Sequence, residues 1–83
     1  MGEAYKYNPD DFKGVTNLRD DLENFYVLLE KYDTDKSRQN RLFLEKHSRD
    51  IFFTIKHREL EGAITHADAH GLREYIRGLL SDD

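Results

Sequence analysis

The apolar positions divide the chain into three helical segments behind a short lead-in. Between Thr16 and Tyr32, the residues Leu18, Leu22, Phe25, Leu29 and Tyr32 recur at intervals of four, three, four and three, with Tyr26 and Leu28 at the margins. That spacing makes one broad apolar face on a helix. Asp20, Asp21 and Glu23 near its amino end and Lys31 near its carboxyl end suit the helix dipole. The second segment runs from Asp35 or Lys36 to Glu61 and is stopped by Gly62. It carries two apolar stripes. Leu44, Ile51 and Ile55 fall within a narrow arc, widened by Phe52, while Leu42, Phe53 and Leu60 fall almost opposite, with Ile64 beyond the helix end continuing their line. A helix lying against one partner needs one apolar face. The pattern therefore predicts a central helix sandwiched between its neighbours, with any uncovered remainder acting as an interface. The aromatics Phe43, Phe52 and Phe53 are where that remainder is expected.

The third segment starts at Thr65. Thr65-His66-Ala67-Asp68 has the outline of a capping box, with Ile64 ahead of it in the hydrophobic-staple position. Leu72, Tyr75, Ile76, Leu79 and Leu80 supply its apolar face. Gly71 and Gly78 weaken it by about 1 kcal/mol each relative to alanine, and Ser81-Asp82-Asp83 is expected to fray. Ahead of all this, Asn8-Pro9-Asp10-Asp11 combines a capping residue, a proline at the first helical position and acids in the first turn, and Gly14 ends that turn. Tyr5, Tyr7 and Phe12 either cover the bundle as a lid or stay partly exposed. The fold expected from these periods is all-α: a small antiparallel three-helix bundle with a long central helix and a short N-terminal lead-in turn. It forms a single domain over 1–83, with helices at about 16–32, 36–61 and 65–80.

Size and composition narrow the classes. The 83 residues contain no cysteine, which removes disulfides and thiolate metal sites. The first residues lack the apolar core of a signal peptide, and no apolar run approaches a membrane span. A soluble cytoplasmic protein with no membrane contact is the expectation. The net charge of −4 is unevenly spread. Residues 1–35 hold nine acidic and four basic side chains, residues 36–60 three and seven, and residues 61–83 five and two. The middle segment is thus at +4 between flanks of −5 and −3. The folded chain is expected to neutralise this asymmetry against itself; the alternative is an exposed basic stripe for an acidic partner.

Several patterns in the chain are candidates for chemistry. Asp33-Thr34-Asp35-Lys36-Ser37 opens like a calcium loop, but Arg38 stands where the loop needs glycine, Arg41 at its ninth position, and Leu44 where it needs a bidentate glutamate. The stretch reads as a bend in which Asp33, Thr34 or Asp35 caps the long helix. His66 and His70 share a helix face at the spacing of two zinc ligands, yet the spacing supplies no third ligand. Ser37, Ser48 and Ser81 lack a strained nucleophile turn, and the five glycines stand singly, so no phosphate-cradling loop is formed. Arg38, Arg49 and Lys56 align on the middle helix, flanked by Arg41 and Lys46, and segments 51–61 and 65–80 outline a helix-turn-helix. Glu45 is placed to pair with Arg49 and dilute that stripe.

The expected function is a non-enzymatic protein–protein interaction or regulatory module, an adaptor that self-associates as a homodimer or holds another protein through its middle helix. Phe43, Phe52, Phe53 and Leu60 would form the contact, with Arg49 and Lys56 as rim charges. No catalytic residue, metal or cofactor is expected. The alternative is a small nucleic-acid-binding protein that uses the basic stripe.

Overall fold

The computed structural model describes residues 5–81; the expected fraying of Asp82 and Asp83 lies outside the described residues. A lead-in 3-10 turn, Pro9–Phe12, is followed by α1 (Leu18–Thr34), α2 (Arg38–Leu60) and α3 (His66–Leu80). Among the described residues there is no strand, and the protein is an all-α three-helix bundle. Both α1 and α3 pack on α2, and the lead-in packs on α1. The long dimension of the molecule, 37 Å, is close to the length of α2.

The core forms where the apolar stripes meet. Leu18, Leu22 and Phe25 from α1, Leu44, Ile51 and Ile55 from α2, and Ala69, Leu72 and Ile76 from α3 are buried. Each of the larger side chains contributes about 1.5–3 kcal/mol by leaving water. Polar bonds set the register of α1 on α2. Thr54 Oγ1 donates to the Asp21 carboxylate at 2.8 Å, and His47 Nε2 donates to the Asp21 carbonyl at 3.0 Å.

Helix ends differ from the sequence expectation in detail. Asn17 precedes α1 in the left-handed conformation (φ 66°), one that asparagine tolerates better than most residues, and its side chain makes no capping bond. Helix α1 runs on through Asp33 and Thr34. The cap of α2 is therefore none of Asp33, Thr34 and Asp35: it is Ser37, whose Oγ accepts from the Asn40 N–H at 3.2 Å. Asp33 instead pairs with Lys36 at 3.6 Å. At the other end Gly62 is left-handed (φ 81°), and the N–H groups of Gly62 and Ala63 return to the Glu59 and Arg58 carbonyls. That pattern closes a helix when the residue after the cap is glycine. Thr65 then caps α3 by accepting from the Asp68 N–H at 3.0 Å, with Ile64 buried just before it.

Tyr5 to Tyr7 form a strap that joins α1 to α3. The Tyr5 ring stacks on Tyr26 of α1 at 3.8 Å between centroids and 5° between planes. The Tyr26 hydroxyl donates to the Tyr7 carbonyl at 2.6 Å, and the Lys6 N–H donates to the Tyr75 hydroxyl of α3 at 2.9 Å. Burial raises the pKa of both Tyr26 and Tyr5 above the usual phenol value. The Tyr7 ring meets Phe12 and Tyr75 and lies against Gly71 so closely that a Cβ there would overlap its hydroxyl. Gly71 is thus the notch for the strap, a reason for glycine in a helix interior that propensity does not contain.

The expected sandwich is one-sided. Leu44, Ile51 and Ile55 are buried and Phe52 is half-buried, but Leu42, Phe53 and Leu60 face solvent, Leu60 with 75% of its surface open. Helices α1 and α3 cover the two flanks of a single stripe and leave the opposite side of α2 bare. Ile64, aligned with the second stripe in the sequence, is buried in the turn before α3.

Candidate interaction surface

The bare side of α2 is a line of apolar side chains set among cations. Leu42, Phe53 and Leu60 are 53%, 64% and 75% exposed. They are separated by eleven and seven residues, which returns each to nearly the same angle at about 100° per residue. Between and beside them stand Arg38, Lys46, Arg49 and Lys56, all exposed and none in an ion pair with a described residue. Arg49, expected to pair with Glu45, does not, because Glu45 is taken by Arg41 at 2.9 Å. That bond also raises the Arg41 pKa above its usual value.

Neutralisation of the middle segment is therefore partial. Arg58 meets Glu61 at 2.6 Å, Arg73 meets Glu59 at 3.5 Å and Arg77 meets Glu74 at 2.9 Å. The Arg73–Glu59 pair joins α3 to α2, the Arg77–Glu74 pair lies on α3 itself, and the Arg58–Glu61 pair lies at the carboxyl end of α2. The outer face of α2 keeps its positive charge.

The three phenylalanines do not cluster. Phe43 and Phe52 are nine residues apart, about half a revolution on a helix, and they lie on opposite flanks. Phe43 borders a shallow hollow with Leu28, Lys46, His47 and Asp50 against α1. Phe52 faces α3 beneath the Arg77 guanidinium, 5.5 Å from its ring centroid. Phe53 alone sits on the outer line, its ring 4.3 Å from that of His57. Of the other expected contact residues, Leu60, Arg49 and Lys56 are exposed on the outer face as placed by the sequence.

Leu60 also closes a groove of about 450 Å³ between α2 and α3, lined by Phe52, Lys56, Glu59, Leu60, Arg73 and Arg77. Arg73 and Arg77 are the surface residues that sequence reasoning missed. Their signal was present: they are four apart, hence on one face of α3. Glu59 anchors the floor, accepting from His66 Nδ1 at 2.6 Å while Arg73 lies at 3.5 Å. The hydrogen bond from His66, aided by Arg73, holds the Glu59 carboxyl below the usual carboxylate pKa.

No family model, curated protein or solved structure matches the chain.

His66 and His70 are exposed on α3. His66 is committed to Glu59, and the His66 and His70 rings are 6.5 Å apart between centroids. Among the described residues no group of three His, Cys, Asp or Glu side chains is arranged to hold a metal ion. No helix among them is long and apolar enough to cross a membrane.

Proposed function

We propose that this chain is a non-catalytic protein-docking module of the cytoplasm, an adaptor that presents the outer face of α2 to another protein or to a second copy of itself. One observation carries the reading: Leu42, Phe53 and Leu60 stand exposed in a line interleaved with the cations Arg38, Lys46, Arg49 and Lys56, none of them in an ion pair with a described residue. Exposed aromatic and aliphatic anchors with arginine beside them are the composition of interface centres. These cations favour encounter with an acidic partner and fix its register.

The same cations favour a second reading, contact with nucleic-acid phosphates. Two features weigh against it. The outer side of α3, which a helix-turn-helix would lay in a groove, exposes Asp68 and Glu74. The apolar line on α2 has no counterpart on a phosphate backbone.

Photo-crosslinking separates the readings. A benzoylphenylalanine in place of Phe53 should give protease-sensitive adducts in the native cells, and the same group in place of the exposed Val27 on α1 should not. Nuclease-sensitive adducts at position 53, or equal protein adducts at both positions, would overturn the docking reading.

A further inference from the structure

We infer that the groove between α2 and α3 receives an acidic amphipathic segment of a partner protein, with a large apolar side chain between Phe52 and Leu60 and carboxylates at Lys56 and Arg77. The inference rests on the docking reading above and names the chemistry of the occupant. The groove is concave, with Phe52 and Leu60 as its apolar walls, so it suits a single inserted side chain better than a flat surface. Its net charge is positive: Lys56 from α2 and Arg73 and Arg77 from α3 stand against Glu59, which Arg73 meets at 3.5 Å, and against Glu74, which Arg77 meets at 2.9 Å. Glu59 is already engaged by His66 and Arg73, so it presents little free negative charge to a visitor. Lys56 has no ion-pair partner among the described residues, and Arg77 is held over Phe52, its bond to Glu74 on the exposed rim. A carboxylate arriving beside an apolar anchor meets Lys56 on one helix and, on the other, the Arg77 guanidinium, which it would share with Glu74.

The geometry disfavours other occupants. A lipid surface is too flat to fill a trough between two helices. The acidic outer side of α1, with Asp20, Glu23 and Glu30, carries only Val27 as its apolar centre, a small anchor for a groove of this size. A second copy of the chain is therefore the poorer fit.

The test is an amide-resolved NMR titration of the full chain. The probe is a short synthetic amphipathic helix with glutamates on one side and leucines around one phenylalanine on the other. Its controls replace glutamate by lysine, or the leucines and phenylalanine by serine. The acidic probe should shift the amides of Phe52, Lys56, Leu60, Arg73 and Arg77, and neither control should. Leu60→Ser and Lys56→Glu should each weaken binding about tenfold with the thermal midpoint retained, since both side chains are exposed.

Shifts confined to Leu42, Phe43 and Phe53 would overturn the groove assignment while leaving a docking face on α2. Groove shifts produced by phosphatidylserine vesicles or poly-uridine RNA, but not by the peptide, would overturn the occupant. Groove shifts produced by raising the protein concentration alone would assign the site to a second copy. Silence from every probe would overturn the inference, and the crosslink at position 53 would then show separately whether the docking reading falls with it.

Discussion

Replacing Gly71 by alanine tests the strap and sets two physical effects against each other. Helix propensity alone predicts a gain of about 1 kcal/mol for glycine to alanine inside α3. The structure predicts a loss, because the new Cβ would overlap the Tyr7 hydroxyl and lie 3.3 Å from its Cζ. The Tyr7 ring must then leave its place between Phe12 and Tyr75, and the carbonyl that accepts from Tyr26 moves with it. Losing that hydrogen bond removes about 0.5–1.5 kcal/mol, and losing one aromatic contact a further ~0.5–1.5 kcal/mol. Against the propensity gain, Gly71→Ala should be destabilising by about 1 kcal/mol. Gly78→Ala, with no atom within 4 Å of the added methyl, should be stabilising by up to about 1 kcal/mol. The decisive measurement is a double-mutant cycle with Tyr7→Ala, read by urea unfolding and far-UV circular dichroism. In the Tyr7→Ala background Gly71→Ala should turn stabilising, a coupling of about 1–3 kcal/mol. If Gly71→Ala stabilises the wild-type chain as much as Gly78→Ala does, the strap is not seated in that notch and the account of the lead-in fails.

Further perturbations probe the core, the caps and the α2–α3 contact. Ile51→Ala should lose about 2–5 kcal/mol, whereas Phe53→Ala, with 64% of its surface already in water, should lose well under 1 kcal/mol; equal large losses in urea melts would mean that Phe53 is core. Thr65→Ala should lose about 1 kcal/mol through the missing bond to the Asp68 N–H, with Thr65→Ser restoring most of it in thermal melts. Glu59→Gln should remove a pH-dependent contribution. Since the folded carboxyl titrates below its unfolded value, its stabilisation is full above the usual carboxylate range and fades as pH falls through the folded pKa. Urea midpoints of the two proteins should therefore converge in acid and separate near neutrality. A constant offset at all pH values would refute the assignment.

The helices were legible because their signal is local. Leu18, Leu22, Phe25 and Leu29 declare α1 by spacing, and all four are buried; Leu44, Ile51 and Ile55 do the same for α2. Periodicity fails where it is asked what covers a face. Leu42, Phe53 and Leu60 are as regularly spaced as the core stripe, but whether a regular apolar stripe is buried depends on where the neighbouring helices pack, which spacing along α2 does not record. Nor does closeness in sequence make a cluster: Phe43 and Phe52 are nine residues apart and lie on opposite flanks of α2. The cap moved to Ser37 because Asp33 and Thr34 remained helical, a choice between adjacent polar residues that local chemistry leaves nearly even. The strap left no periodic trace at all. Tyr5 and Tyr7 are explained by Tyr26, Tyr75 and Gly71; of the two glycines in α3, Gly71 lies under the strap while Gly78 faces open space.

The bond from the Lys6 N–H to Tyr75 joins residues 69 positions apart. On a ribosome, α1 can meet α2 while α3 is still being made, but closing the strap must wait for Tyr75 and the turn that carries Gly71. The half of the strap that rests on α1, the Tyr5–Tyr26 stack and the bond to the Tyr7 carbonyl, has its partners at once, whereas the half that rests on α3 has none until Gly71 and Tyr75 exist.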